Sequence, residues 1–136
     1  MQKYQKTVLI VEDDPANAQV LMLELTQFSS ERQVAYRLLC AETGTEALHL
    51  AQETPPDLCL LDYHLPGMNG LQFYELLCAS IHKKIPVLVI TAIPLIPEKL
   101  PSSVQILSKP YGIDELFSHL ERLLPEADEE GHRVCL

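Results

Sequence analysis

A chain of 136 residues that is 47% hydrophobic and 21% charged is one domain of ordinary size, with enough apolar material for a core and no compositional case for disorder. Its formal net charge of −9 lacks the basic footprint that a nucleic-acid backbone requires, so no direct nucleic-acid partner is expected. No window approaches the roughly 20 apolar residues of a membrane span, and the residues after Met1 do not build a secretory signal, so no membrane partner is expected either.

In chain order, the first apolar run is Val8-Leu9-Ile10-Val11. Asp14-Pro15 then supplies an N-cap and a first-turn proline for a helix whose apolar stripe is Ala18, Leu21, Met22, Leu25 and Phe28. A shorter run, Leu38-Leu39-Cys40, precedes Thr43-Gly44-Thr45-Glu46, a capping-box pattern that opens a helix ending before Pro55-Pro56. Leu58-Cys59-Leu60-Leu61 is the third run. Turn signals at Pro66-Gly67 and Asn69-Gly70 follow it, and a third helix begins near Asn69-Gly70 with Leu71, Tyr74, Leu77 and Cys78 on one face.

Val87-Leu88-Val89-Ile90 is the fourth run. Beyond it, Pro94, Pro97 and Pro101 fall too close together to share one helix, because each removes a donor and clashes with the preceding turn. A loop, or at most one helical turn, is expected where the rhythm otherwise predicts a fourth helix. Ile106-Leu107 is the fifth run, and the last helix runs from about Gly112 to Pro125 on Ile113, Leu116, Phe117, Leu120 and Leu124. Residues 125–136, with Glu126, Asp128, Glu129 and Glu130, read as an acidic, flexible C-terminal tail.

The runs are mostly continuous rather than alternating, as in strands covered on both faces. Strands alternating with helices imply an α/β fold, a doubly wound parallel sheet with right-handed crossovers. The four cysteines, Cys40, Cys59, Cys78 and Cys135, show no C-x-x-C spacing. Three lie in apolar surroundings, where a thiol acts as a small hydrophobe, and a reducing, cytoplasmic compartment fits this usage.

Ligands of such sheets bind outside the carboxyl ends of the strands. There, Val11 is followed by Glu12-Asp13, Leu61 by Asp62, Ile90 by Thr91 and Leu107-Ser108 by Lys109. On adjacent parallel strands these side chains meet on one rim: three carboxylates, a hydroxyl and an ammonium. Carboxylates so close repel, and a divalent cation relieves the repulsion. Mg2+ suits the set, since it takes oxygen ligands and leaves positions for water and phosphate. Phosphoryl transfer is mostly positioning and charge neutralisation, and aspartate is a competent phosphoryl acceptor.

The stretches Val8-Leu9-Ile10-Val11-Glu12-Asp13-Asp14, Leu60-Leu61-Asp62-Tyr63-His64-Leu65-Pro66-Gly67-Met68-Asn69-Gly70, Ile90-Thr91-Ala92 and Lys109-Pro110 resemble the receiver domain of bacterial two-component response regulators. The resemblance spans residues 7–124. It implies a flavodoxin-like five-stranded sheet in the order 2-1-3-4-5, an order the general rules for doubly wound folds illustrate with the chemotaxis member of this family. It implies that Asp62 takes a phosphoryl group from a sensor histidine kinase or histidine phosphotransfer protein. Asp13 and Asp62 would ligate Mg2+ through side chains, His64 through its backbone carbonyl and Glu12 through water, while Thr91 and Lys109 contact the phosphoryl group. A cis Lys109-Pro110 peptide is also implied. On this reading the chain is a signalling domain with at most self-catalysed phosphorylation and dephosphorylation, not an enzyme.

Structural readings stand beside the functional ones. Asp14 is expected as a helix cap rather than a metal ligand. The His64 side chain is expected to be exposed, with a role in setting the lifetime of the phosphorylated state as the sharper hypothesis. Two features depart from the family. Ile106 stands where receivers often carry an aromatic residue that moves with the phosphate, and the prolines degrade the fourth helix, part of the usual output face. The chain also ends soon after the last helix, from which a stand-alone receiver acting by protein contact is expected, with a piece of a longer protein as the alternative because the acidic tail resembles a linker as much as a terminus. Two alternatives remain open: a pseudo-receiver that signals without phosphorylation, and a haloacid-dehalogenase-type phosphatase. The latter class carries an acid two residues after its nucleophile, where this chain has His64.

Overall fold

The computed structural model describes residues 6–65, 67–93 and 100–125, and of His64 the backbone alone. The proline-rich residues 94–99, the acidic residues 126–130 and Cys135 lie outside the described residues, and so do the expectations attached to them.

The elements are β1 (Lys6–Val11), α1 (Pro15–Arg32), β2 (Tyr36–Ala41), α2 (Gly44–Glu53), β3 (Leu58–Asp62), β4 (His64–Leu65), β5 (Met68–Asn69), α3 (Gly70–Ile81), β6 (Val87–Thr91), β7 (Val104–Ser108) and α4 (Ile113–Leu123). The five longer strands form one sheet in the order β2-β1-β3-β6-β7, and every pairing in it is parallel. With the small β4-β5 hairpin set aside, this is the expected 2-1-3-4-5 order. Gly67, in the turn of that hairpin, takes φ +83°, a left-handed conformation that glycine adopts without steric cost.

Side chains alternate between the two faces of a strand, so a doubly covered sheet divides its apolar residues into two cores. On one face Val8, Ile10, Leu58, Leu60, Leu88 and Ile90 pack with Leu21, Leu25 and Phe28 of α1 and Leu116 and Leu120 of α4. On the other, Leu9, Val11, Cys59, Leu61, Val87 and Val89 pack with Ala47 and Ala51 of α2 and Phe73 and Leu77 of α3. The continuous runs of β1, β3 and β6 are buried on both faces, as expected.

The edge strands differ. β2 and β7 each pair on one side only, and Cys40 in β2 is exposed, against the expectation of a buried thiol. Met22, placed on the buried stripe of α1, is 38% exposed. On α3 the fully buried aromatic is Phe73, whereas Leu71 is half-buried.

Local side chains set the helix starts. The Asp14 carboxylate accepts from the Ala16 N–H at 2.9 Å and Pro15 follows in the first turn. Thr43 caps α2 by accepting from the Glu46 N–H, but the Glu46 carboxylate reaches back to the Glu42 N–H at 2.8 Å rather than to its cap residue. The reciprocal capping box belongs to α3, where Asn69 and Gln72 each accept from the other's backbone N–H. Gly112 is the N-cap of α4, its N–H donating to Glu115 Oε1 at 2.9 Å.

Candidate functional site

Parallel pairing carries the carboxyl ends of β1, β3, β6 and β7 to one rim. Val11 pairs with Leu61, Asp62 with Ile90 and Thr91 with Ser108. The residue after β1 and the last residue of β3 are therefore neighbours across two adjacent central strands. Glu12, Asp13 and Asp62 each present a carboxylate oxygen there, and these three oxygens lie within 4.8 Å of one another.

The three acids differ in exposure. Glu12 is 4% exposed, its backbone N–H donates to the Ala41 carbonyl at 3.0 Å, and its carboxylate accepts from the Asp14 N–H at 3.2 Å. Asp13 is exposed and Asp62 half-buried. Burial pushes the Glu12 carboxyl up to about 7, the Asp14 N–H opposes that rise, and the charges of Asp62 and Lys109 act respectively with and against it. A cluster of this kind gains from a hard divalent cation, which replaces mutual repulsion by attraction and takes carboxylate oxygens at its own coordination distances. The donor set fits Mg2+.

Thr91 closes β6 at 3% exposure, and its Oγ1 accepts from the Ile93 N–H at 3.0 Å. That bond does not use the hydroxyl hydrogen, which stays available to an oxygen acceptor. The Lys109 N–H donates to the Thr91 carbonyl at 2.8 Å, which ties the end of β7 to the end of β6. The Lys109–Pro110 peptide is cis, as the resemblance implied. His64 begins β4 and pairs with Asn69; the expectations for its side chain lie outside the described residues. Asp14 is the cap of α1, as its structural reading expected. Ile106 is half-buried in β7 opposite Val89.

Sequence reasoning passed over two residues beside this rim. Tyr111, just after Lys109-Pro110, donates its hydroxyl hydrogen to Glu24 Oε1 at 2.7 Å, joining the loop after β7 to α1. No local pattern signals a contact between residues 87 positions apart.

The response regulator receiver domain model matches residues 8–121. The transcriptional regulatory protein YkoG of Bacillus subtilis, itself uncharacterised, is 34% identical over 121 residues, covering 86% of this chain and 50% of YkoG. The DNA-binding response regulator MtrA of Mycobacterium bovis is 28% identical, covering 96% of this chain and 55% of MtrA. Among solved structures, the receiver domain of the sensor histidine kinase PA1611 from Pseudomonas aeruginosa holds a magnesium ion in its active-site cleft. It is similar with a TM-score of 0.72 and 24% identity, over 89% of this chain and 98% of that one.

The chain spans about half the length of the curated relatives it matches. Those relatives overturn the expectation of no direct nucleic-acid partner, since MtrA is a DNA-binding regulator and YkoG a transcriptional one. Net charge is a sum over a whole chain, and the Glu12, Asp13 and Asp62 cluster and the acids after Pro125 both enter it. A basic footprint is local, and the sum of charge in a receiver stretch does not report on it. Among the described residues, no helix is long and apolar enough to cross a membrane. With the order of its sheet and the family match over residues 8–121 agreeing, the chain belongs to the response regulator receiver domains, a family of signalling domains.

Proposed function

We propose that Asp62 is the phospho-acceptor of a Mg2+-dependent receiver that takes its phosphoryl group from the phosphohistidine of a sensor kinase or phosphotransfer protein. The observation that carries this reading is the convergence of Glu12, Asp13 and Asp62 within 4.8 Å, with Glu12 held up to about 7 by burial. Asp13 and Asp62 would hold Mg2+ through carboxylate oxygens, Glu12 through water and His64 through its backbone carbonyl. When bound, the ion supplies neutralisation of the acids and of the incoming phosphoryl oxygens.

An Asp62 carboxylate oxygen attacks phosphorus, and the new O–P bond forms as the P–N bond to the donor imidazole breaks. The electron pair of that bond leaves with the imidazole, which takes up a proton. Thr91 donates its hydroxyl hydrogen to one phosphoryl oxygen and Lys109 places its ammonium on another. The acceptor domain is residues 7–124, with 125–136 as an acidic tail, and the phosphorylated form acts through protein contact. Cys40, Cys59 and Cys78 are free thiols, which supports a reducing, cytoplasmic setting.

Incubation with magnesium and acetyl phosphate, followed by intact mass measurement, tests the reading. One added phosphoryl group, absent in Asp62→Asn, is expected. An unmodified wild type would instead favour the pseudo-receiver, for which Ile106 in place of an aromatic residue is the supporting observation.

A further inference from the structure

A cleft of about 490 Å³ opens beside the acidic rim, with Glu12, Leu21, Glu24, Lys109, Pro110 and Tyr111 among its walls. On one side stands α1, which starts directly behind the acids at Pro15. On the other runs the short loop Lys109-Pro110-Tyr111, which links β7 to Gly112 at the start of α4. The loop is held at its two ends by bonds that its backbone donates, Lys109 N–H to the Thr91 carbonyl at 2.8 Å and Gly112 N–H to the Glu115 side chain at Oε1, 2.9 Å. The Tyr111 hydroxyl adds a tie across the cleft, donating to Glu24 Oε1 at 2.7 Å. Burial first, and then the Glu24 carboxylate, keep this phenol protonated well above its usual range, so the direction of the bond is set: tyrosine donates, glutamate accepts.

We infer that the Tyr111–Glu24 hydrogen bond is a latch that positions Lys109 for phosphoryl capture. The inference rests on the phospho-acceptor reading above and adds two positioning residues to it. The latch joins the half of the rim that carries the acids to the half that carries the ammonium. The tyrosine ring packs on the core beneath α1 and α4, and a phenylalanine ring would do the same. The hydroxyl is therefore spare for packing and serves only to fix the loop laterally. Lys109 lies two residues away, and a loosened loop spreads the positions its ammonium samples, which slows a reaction that depends on placement.

The test follows intact mass against time in magnesium and acetyl phosphate, with a melting curve for each variant. Tyr111→Phe and Glu24→Ala should each lower the rate constant at saturating donor by about threefold to tenfold, less than the full worth of one hydrogen bond to a charged group because the loop stays tied at both ends. The double variant should be no slower than either single one, because both remove the same bond. Glu24→Gln keeps an acceptor oxygen and should restore most of the wild-type rate. Magnesium affinity should stay within about twofold of wild type in all of them, since no acid of the rim is altered. Tyr111→Phe at the wild-type rate, additive losses in the double variant, or Glu24→Gln as slow as Glu24→Ala would each overturn the latch. A wild type that takes no phosphoryl group overturns the phospho-acceptor reading and the latch together. A modified wild type with an unaffected Tyr111→Phe overturns the latch alone.

Discussion

Replacing Gly70 by alanine puts a methyl group where the ring of Tyr63 already sits. A Cβ on Gly70 would lie 2.7 Å from Tyr63 Cδ1, 3.3 Å from its Cε1 and 3.4 Å from Leu61 Cδ2. Tyr63 is the residue between Asp62 and His64, so the ring that must move belongs to the loop directly after Asp62. Gly70 is the first residue of α3, and alanine there gains at most about 1 kcal/mol of helix propensity. Forcing a methyl into packed surroundings costs about 1–3 kcal/mol. The balance is a loss of about 1 kcal/mol, a fall in Tm of about 4 °C for a domain of this size. Thermal melting by circular dichroism measures it, and the Tyr63→Ala background supplies the control: with the ring gone, Gly70→Ala should leave Tm unchanged or raise it. The contrast is Gly44, where a Cβ meets Met68 Sδ at 2.8 Å and Cε at 3.0 Å, the far end of a flexible side chain that can swing aside, so Gly44→Ala should cost less. A Gly70→Ala protein as stable as wild type, or one equally destabilised with and without Tyr63, would refute the argument.

Glu12 gives a pH prediction. Its folded-state carboxyl is raised from 4.5 to about 7, so between those values the folded chain holds a proton that the unfolded chain releases. Its contribution to stability is therefore full below about pH 4.5 and lost as pH rises through 7. Without divalent cations, Glu12→Gln should stabilise the fold more at pH 8 than at pH 5, as read from urea midpoints; a gain independent of pH would contradict this. Asp14→Ala removes the cap on the Ala16 N–H and should cost about 1 kcal/mol while leaving magnesium affinity unchanged, and a lost magnesium response would make Asp14 a ligand after all. Phe73→Ala, which empties a fully buried site between the sheet and α2, should cost about 3–5 kcal/mol in urea unfolding, and a loss below 1 kcal/mol would contradict the packing described.

The parts legible from sequence alone were those set by burial on both sides. β1, β3 and β6 sit in the middle of the sheet, so their apolar runs are unbroken and their ends easily read. β2 and β7 are edges, with one neighbouring strand each, and their partly exposed residues break the pattern; Cys40 looked apolar in context and faces outward for that reason. The meeting of Glu12, Asp13 and Asp62 was legible because parallel topology sends every strand end to one rim. The unequal burial of those acids was not, since it depends on tertiary contacts such as the Glu12 N–H bond to the Ala41 carbonyl at the end of β2. Tyr111 and Glu24 left no trace because periodicity reports neighbours along a helix or strand, not partners across a cleft. Net charge was uninformative for a different reason: a sum over a receiver stretch is not a property of everything the stretch works with.

The position that takes up phosphorus is the most direct test of the role proposed for Asp62. Protein treated with acetyl phosphate and magnesium, then reduced with borohydride, converts a phosphorylated aspartate to homoserine, which peptide mass spectrometry locates. The prediction is homoserine at position 62, appearing only when magnesium is present. Homoserine at Asp13 or elsewhere, or at position 62 without magnesium, would contradict it.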